Sequence, residues 1–369
     1  PRRLSRLDVV KPTNWSLSPP PGARRSQSSV SPLSLTDRLF STGEDRKAAT
    51  AIEDGIVRLE ARLVAETNFN DGMAEVSARY LLAAGGKRVR PILALLTAQL
   101  GDGVTDDVIT AATSIELIHL ASLYHDDVMD GAEQRRGVPT AHTVWSNSIA
   151  ILTGDLLFAR ASKLLSILGE RAIRLQADTF ESLCLGQLHE TVGPQSGEDP
   201  IEHYLQVLAD KTGSLIAASA QLGVLVSNAP SAYEQPVVEF GKKIGVAFQL
   251  IDDVIDLAPP SEETGKSAGT DIRAGVVTLP LLYLRREAQT DPEAAELVRR
   301  LDPVLIAATA VPEVDDLIAE FHAHAVVRQT VTEARRWARE AVEALSSLPE
   351  GSVKKTLIRF ADTVVERSS

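Results

Sequence analysis

The chain has 369 residues, 44% of them hydrophobic, so it is long enough to bury a large core. Its 50 Asp and Glu residues against 38 Lys and Arg residues give a formal charge of −12, which argues against a nucleic-acid-binding surface. The single cysteine, Cys184, excludes an internal disulfide and fits a reducing compartment such as the cytoplasm, and we interpret it as a core residue.

The first 45 residues differ in composition from the rest of the chain. They are rich in Pro, Ser and Arg, and Asp8 is the only acidic residue before Asp37. Such a segment buries too little apolar surface to fold, so residues 1–45 are predicted to be a disordered extension and residues 46–369 a single domain. An Arg- and Ser-rich leader also resembles an organellar transit peptide, but its weak amphipathic periodicity favours a flexible extension or an early start site.

From about Asp45 onward the sequence predicts helix almost throughout, because Ala, Leu, Val and Ile recur at three- and four-residue spacing. We therefore expect an all-α bundle of roughly ten or more helices. The longest uncharged stretch, residues 212–233, contains several polar residues and favours a buried helix over a membrane span. The predicted breaks contain glycine or proline and lie at residues 85–86, 101–103, 131–139, 193–200, 229–230, 259–275 and 348–351.

The first chemically informative motif is the basic turn GGKRVRP at residues 85–91. Its glycines allow the backbone to approach an anion, while Lys87 and Arg90 supply positive charge. Taken alone, a basic turn between two helices is more often solvated surface. The arginine-containing loop at residues 131–137, just after the first acidic motif, favours an anion site instead.

That acidic motif, DDVMD at residues 126–130, ends an apolar helical run. Asp126 and Asp130 are four residues apart and therefore share a helix face. His119 lies seven residues before Asp126, on nearly the same face, although a lone helical histidine is usually structural. The loop that follows carries Arg135 and Arg136, which suits two diphosphates bound side by side.

The same acidic pattern recurs as DDVID at residues 252–256, again after an apolar helix, so Asp252 and Asp256 share a face. Two such clusters facing each other would require cations, and Mg²⁺ with phosphate oxygens and waters suits these ligands. An isolated acidic pair is often solvated surface, but both clusters follow strongly apolar stretches. Further polar candidates near the second cluster are Lys211, Thr212, Gln249 and Lys266.

In this order the motifs resemble those of the trans-polyprenyl diphosphate synthases, the head-to-tail prenyltransferases. The resemblance runs from about residue 50 onward and implies that residues 46–369 form a polyprenyl synthetase catalytic domain. It implies an isoprenoid synthase fold around a deep central cavity, usually a homodimer, and three Mg²⁺ ions per active site. The motifs are GGKRVRP, IELIHLASLYHDDVMDGAEQRRG, the Gly186-Gln187 pair, DKTG, FQLIDDVID, GKSAGTD and TLP.

The resemblance also assigns roles to the candidate residues. It implies that Mg²⁺ is bound by Asp126 and Asp130 on one wall and by Asp252 and Asp256 on the other, with Asp127 and Asp253 supporting them. The allylic diphosphate would contact Arg135, Lys211, Thr212, Gln249 and Lys266. Isopentenyl diphosphate, the condensing substrate, would contact Lys87, Arg90, His119 and Arg136.

Product length in this family depends on residues just before the first acidic motif, where short-chain members carry an aromatic residue. Here Ala121 and Ser122 are small, which favours a long-chain product of roughly six to ten isoprene units over geranylgeranyl diphosphate. Small residues at these positions also suit close helix packing. Tyr124 is expected to point away from the tunnel.

Two other functions are compatible with an aspartate-rich helix. A terpene cyclase also uses an aspartate-rich helix, but it needs neither a second DDxxD motif nor the isopentenyl-site residues. A noncatalytic subunit of a heteromeric synthase would show eroded acidic motifs, whereas both are intact here. We expect a homodimer with no transmembrane segment that binds no nucleic acid and contacts a membrane only transiently for product release.

Overall fold

A computed structural model of the protein describes residue 39, residues 46–259 and residues 268–366. The predicted extension therefore falls, Leu39 apart, outside the described residues, and so does Lys266. Over the described ranges the chain is almost entirely helical, with one short hairpin of strands β1 (Gln134–Arg135) and β2 (Val138–Pro139). The predicted all-α fold is confirmed.

Most of the predicted glycine and proline breaks fall between helices. No helix among the described residues is both long and apolar enough to cross a membrane. The helices are α1 Arg46–Glu66, α2 Gly72–Ala83, α3 Val89–Thr97, α4 Asp106–Met129, α5 Ala141–Val144, α6 Asn147–Ile167, α7 Glu170–Val192, α8 Pro200–Leu208, α9 Ser214–Val226, α10 Glu234–Asp256, α11 Thr270–Ala274, α12 Leu279–Glu287, α13 Pro292–Arg300, α14 Pro303–Ala308, α15 Val311–Ala323, α16 Ala325–Ala344 and α17 Ser352–Glu366.

The start of α4 shows how the sequence fixes these boundaries. The hydroxyl of Thr105 accepts a hydrogen bond from the backbone N–H of Val108, which caps the helix. Asp106 and Asp107 in the first turn add negative charge at the positive end of the helix dipole. The helix then runs without a break to the first acidic motif, so its C-terminal end positions three aspartates.

Helix α9 occupies the centre of the bundle and packs against α3, α4 and α10. Nearly all of its residues are buried, as expected for a helix that is apolar all round. A buried helix over most of residues 212–233 is therefore confirmed. The interpretation of Cys184 as a core residue is wrong, because this side chain is exposed on the outer face of α7 among exposed apolar residues.

Helices α9 and α10 run antiparallel and approach each other closely at glycines. A Cβ atom on Gly241 would lie 2.5 Å from the Cα of Ala217, and one on Gly245 would lie 2.6 Å from the Cα of Gly213. Because these neighbours are backbone atoms, the helices approach this closely only without side chains at these positions. The contact sets the start of α9 beside the C-terminal half of α10, which carries the second acidic motif.

The variant Gly241→Ala is expected to lower the free energy of unfolding by about 1–3 kcal/mol, because the new methyl group overpacks two backbones that have no room to separate. Gly351→Ala is the matched control, since a Cβ there would meet nothing within 4 Å. Urea titration of both variants measures the difference. Equal midpoints for the two variants would contradict the packing argument.

Candidate active site

The first acidic motif occupies the C-terminal end of α4. Asp126 is half-buried and Asp130, the C-cap residue, is exposed. Burial raises the pKa of Asp126 to about 6; Lys211 and Arg135 oppose this shift, and the like charge of Asp130 adds to it. A bound cation would favour the ionised form of this carboxyl, so the predicted metal site remains a prediction here.

Asp127 has a different role from its neighbours. It is buried, and its Oδ1 accepts a hydrogen bond of 2.8 Å from Nε of Arg135. Burial raises the pKa of Asp127, while the charge of Arg135 opposes the rise. This hydrogen bond joins the hairpin to α4, so Asp127 holds Arg135 in position.

The second motif ends α10 in a similar way. Asp252 and Asp256 are half-buried, and Oδ2 of Asp256 accepts a hydrogen bond of 3.0 Å from the backbone N–H of Asp271. Asp253 is buried and accepts a hydrogen bond of 2.7 Å from the hydroxyl of Tyr204 on α8. Each motif therefore has two accessible carboxylates on one face and a buried central aspartate behind them.

Lys211 lies near the first acidic motif, on a turn that packs against the helix of the second. It lies in a single π-helical turn, Ala209–Gly213, which precedes α9 and packs against both α7 and α10. Its ammonium group pairs with Glu190 at 2.5 Å and is close enough to Asp126 to lower the pKa of that carboxyl. Thr212 is half-buried on the same turn, and Gln249 is half-buried on α10. The turn that carries Lys211 therefore lies close to Asp126 and packs against the helix that carries the second motif.

The Gly186-Gln187 pair in α7 has a physical explanation in this turn. A Cβ on Gly186 would lie 2.7 Å from the backbone nitrogen of Lys211, so only glycine lets α7 approach the π-helical turn. The neighbouring Oε1 of Gln187 is buried and has no hydrogen-bond partner among the described residues. A π-helical turn inside a helical segment is frequently associated with a functional site.

Four arginines and a histidine cluster beside the first motif. Burial lowers the pKa of Arg90 to about 10, with Glu116 opposing the shift, and its buried Nε has no partner in the described part of the chain. Burial also lowers the pKa of His119 well below 6.5, and the charges of Arg88, Arg90, Arg135 and Arg136 lower it further. His119 is therefore neutral near pH 7 and faces a strongly positive region suited to an anion.

The β1–β2 hairpin brings its two arginines to opposite sides. Arg136 and Gly137, the turn residues, have φ values of 54° and 76°, which matches the type I′ turn of tight hairpins. Arg135 points back to Asp127, whereas Nη1 of Arg136 donates to the carbonyl of Leu81 at 2.9 Å and also to that of Gly85. Lys87 is exposed on the GGKRVRP turn.

Residues upstream of the first motif are small or directed elsewhere. Ala121 is completely buried, and Ser122 is half-buried with its hydroxyl donating to the carbonyl of His119 at 2.9 Å. The hydroxyl of Tyr124 donates to the carbonyl of Ser77 and accepts from the N–H of Leu81 on α2. The Tyr124 side chain is therefore directed toward α2.

The arrangement suits divalent ions that complete their coordination with substrate. No group of three or more His, Cys, Asp or Glu side chains among the described residues is close enough together to hold a metal ion alone. Two pairs of oxygen ligands fit Mg²⁺, which usually binds one or two carboxylates together with phosphate oxygens and waters. The residues present therefore fit Mg²⁺ as a partner of a bound diphosphate.

Sequence reasoning missed Tyr204, Glu190, Glu116 and Arg88 as parts of this site. Tyr204 and Glu190 reach the site through tertiary packing of α8 and α7, and no local pattern marks them. Glu116 had a detectable signal, since it is a charged residue within an apolar run, three residues before His119 on the same helix face.

In the metal-free protein, Asp253 should make stability depend on pH. Burial raises its pKa to about 8, so between its ordinary value of 3.8 and about 8 the folded protein holds a proton that the unfolded chain has released. The stability contributed by this group therefore falls as pH rises through that window. In EDTA, the melting temperature of the wild type should drop relative to that of Asp253→Asn from about pH 5 to about pH 8. If the difference in melting temperature between the wild type and Asp253→Asn stayed constant across this pH range, the burial argument would be contradicted.

Taken together, these features define a class of protein: an all-α bundle with two carboxylate pairs and a cationic cluster at one end, suited to diphosphates and divalent cations. The family model for polyprenyl synthetase matches residues 73–303. The chain belongs to the polyprenyl synthetase family. This confirms the resemblance and the expectation that the protein is a prenyl-transferring enzyme.

Three similar proteins illustrate the range within the family. The nonaprenyl diphosphate synthase of Mycobacterium tuberculosis is 40% identical over 88% of this chain and 95% of its own length. The heptaprenyl diphosphate synthase component 2 of Geobacillus stearothermophilus is 34% identical over 83% of this chain and 93% of its own length. The geranylgeranyl pyrophosphate synthase of Corynebacterium glutamicum, crystallised with calcium and isoprenyl diphosphate, is 38% identical with a TM-score of 0.76, covering 88% of this chain and 98% of that structure.

Proposed function

We propose that residues 46–369 form a single catalytic domain that condenses isopentenyl diphosphate with an allylic diphosphate and releases a long all-trans polyprenyl diphosphate. The observation that carries this proposal is the position of Lys211, on a turn that packs against α10 of the second motif and is charge-coupled to Asp126 of the first. A diphosphate beside Lys211 would lie within reach of both acidic motifs.

The allylic diphosphate is held by Arg135, Lys211, Thr212 and Gln249, with Lys266 completing the set. Three Mg²⁺ ions, held by Asp126, Asp130, Asp252 and Asp256, would neutralise the charge that develops on the departing diphosphate. Asp127 and Asp253 hold the motifs in place through Arg135 and Tyr204. Lys211 and Arg135 add fixed positive charge, which favours ionisation of the allylic C–O bond.

Isopentenyl diphosphate is held by the side chains of Lys87, Arg90, His119 and Arg136. The buried Nε of Arg90 needs an acceptor, and a diphosphate oxygen supplies one. Neutral His119 donates a hydrogen bond without adding charge. With both diphosphates bound in this way, the isopentenyl double bond would attack the allylic cation left by ionisation. The cation formed would then lose a proton, for which the released diphosphate is the proposed acceptor.

The product is proposed to contain roughly six to ten isoprene units, because no aromatic side chain occupies positions 121 or 122 one turn below the metal ligands. Similarity to a nonaprenyl diphosphate synthase supports this length. The alternative is geranylgeranyl diphosphate, which the similarity to the Corynebacterium enzyme favours.

We also propose that the protein is a homodimer. Helix α7 carries exposed apolar side chains spaced by four or eight residues, and therefore on one face, at Phe180, Leu188 and Val192, with Leu188 55% exposed. Leu152 and Leu156 on α6 are also exposed, at 57% and 37%. An apolar face of this kind marks an interface, and a second copy covers it symmetrically. The occupant could instead be a different chain, since one relative is named as a component of its synthase.

Light scattering on the purified chain tests the dimer directly. The wild type should have twice the mass of one chain, and Leu188→Glu should be monomeric because it buries a charge in the interface. Val304→Glu, on an exposed apolar side chain of α14, is the control and should remain dimeric. A wild-type monomer that dimerises only with a second, different chain would favour the heteromeric alternative.

The proposed compartment is the cytoplasm, with transient membrane contact for release of the lipid product. The function itself is tested by incubating the purified chain with Mg²⁺, labelled isopentenyl diphosphate and, separately, each short allylic primer. Label should enter an extractable lipid with at least one primer, and EDTA should abolish incorporation. Failure with every primer would favour a noncatalytic subunit over an autonomous enzyme.

A further inference from the structure

Arg88 lies in the middle of the cationic cluster but does not face the site. Its side chain is 2% exposed, and two carboxylates occupy its guanidinium group. Nε donates to Glu60 at 2.6 Å, and Nη1 donates to Glu116 at 2.8 Å. A guanidinium held in this way from two sides is unavailable to a substrate phosphate.

The backbone at Arg88 is as unusual as its side chain. Its φ of 51° and ψ of 32° lie in the left-handed region, which a non-glycine residue adopts only when surrounding contacts enforce it. This residue is the N-cap of α3, so its conformation sets the direction in which Lys87 leaves the turn and Arg90 enters the helix. The two carboxylate contacts restrain the side chain of this same residue.

The second arginine of the cluster is tied to the same turn. Arg136 donates to the carbonyl of Gly85, and Nη1 of Arg88 lies 3.4 Å from that same oxygen. A Cβ on Gly86 would lie 2.6 Å from Nη1 of Arg88 and 3.0 Å from Nη2 of Arg136. The two guanidinium groups therefore enclose the Gly85-Gly86 backbone, and moving one disturbs the other.

We propose that the buried Arg88–Glu116 ion pair, with Glu60 as its outer partner, is a positioning device that shapes the isopentenyl diphosphate site without touching the substrate. Glu116 lies one turn before His119 on α4, so the pair joins the GGKRVRP turn to the helix that carries the histidine. This inference rests on the proposed function, because it concerns the site assigned there to the condensing substrate.

A positioning role and a simple effect of charge predict changes of opposite sign in the affinity for isopentenyl diphosphate. Glu116 is an acid beside Arg90 and Arg136, so its neutralisation alone strengthens the positive field and favours anion binding. Loss of the Arg88–Glu116 ion pair instead lets the GGKRVRP turn move, which weakens the binding of isopentenyl diphosphate. The sign of the change in KM for isopentenyl diphosphate therefore decides between the two effects.

The test uses Arg88→Lys and Glu116→Gln in the full chain. Lysine keeps the charge but cannot bridge two carboxylates as a planar fork, so any loss of affinity is positional. Both variants are expected to raise the KM for isopentenyl diphosphate about tenfold or more, with kcat and the allylic KM changed by no more than about twofold. Arg300→Lys, which alters an exposed, doubly hydrogen-bonded pair with Glu320, is the matched control and should leave all three constants unchanged.

If either buried variant fails to fold, Glu60→Gln replaces it, because Glu60 is 38% exposed and its loss leaves the Arg88–Glu116 contact in place. For this variant too, a raised KM for isopentenyl diphosphate supports the positioning role of the ion pair, whereas a lowered KM supports a simple effect of charge on anion binding. A wild-type KM in folded Arg88→Lys, or an equal rise in both substrate constants, would overturn the proposal. If the wild type shows no turnover, calorimetric titration with isopentenyl diphosphate alone measures the affinity of each variant in place of KM. An inactive wild type would contradict the proposed function, whereas unchanged affinities in the variants would contradict the positioning role.

Discussion

Replacing Asp126 by asparagine is expected to lower kcat by about 10²–10³-fold, because the substitution removes one charged oxygen ligand from the proposed metal site. Asp126 is half-buried, is coupled to Lys211 and Arg135, and has a carboxyl pKa raised to about 6 by burial. The change leaves size and shape nearly unaltered, so the fold should be retained. Steady-state kinetics with increasing Mg²⁺ measures the effect, and higher Mg²⁺ should recover part of the loss.

The matched control for this variant lies on the same helix. Asp107→Asn changes an exposed aspartate in the first turn of α4, about 28 Å from Asp126 at 1.5 Å per residue. It should leave kcat and the Mg²⁺ dependence unchanged. If Asp126→Asn retained wild-type turnover at every Mg²⁺ concentration, the first acidic motif would not be the metal site.

Introducing an aromatic side chain below the first motif is expected to shorten the product. Ser122 lies one helical turn before Asp126, is half-buried, and has only its hydroxyl tied to the carbonyl of His119. A phenylalanine there would fill the space into which the growing chain extends, so Ser122→Phe should stop at no more than about four isoprene units. Chromatography of the dephosphorylated products measures their length, and Ser122→Ala is the control that should leave it unchanged.

Ala121→Phe should shorten the product as well, but with an additional cost to stability. Ala121 is completely buried in the core, so the larger ring should overpack its neighbours and lower the free energy of unfolding by about 1–3 kcal/mol. If both aromatic variants still made the wild-type product, the length-determining residues would lie elsewhere in the bundle.

The sequence predicted those parts of the molecule in which local pattern and chemistry coincide. Helical periodicity predicted the all-α class, and the four-residue spacing of Asp126 and Asp130 correctly put both at the end of one helix. Lys211 was recognised from its motif, and the structure explains the nearby Gly186 as the close approach of α7 to the turn that carries Lys211. In these cases the information lies within a few residues.

The remaining features depend on contacts between distant segments. Tyr204 bonds Asp253 across 49 residues, and Arg88 bonds both Glu60 and Glu116 across 28, which no periodicity shows. Cys184 was wrongly predicted to be in the core because the row of apolar residues on α7 looks like an ordinary buried face. Sequence pattern alone does not tell an apolar face that the same chain covers from one that stays exposed.

The most direct test of the central claim is the length of the product made by the purified wild-type chain. The protein is incubated with Mg²⁺, an allylic primer and excess labelled isopentenyl diphosphate, and the dephosphorylated products are sized over time. We predict that the products pass through geranylgeraniol and accumulate at roughly six to ten units. Accumulation at geranylgeraniol, with no further extension in excess isopentenyl diphosphate, would contradict the long-chain assignment.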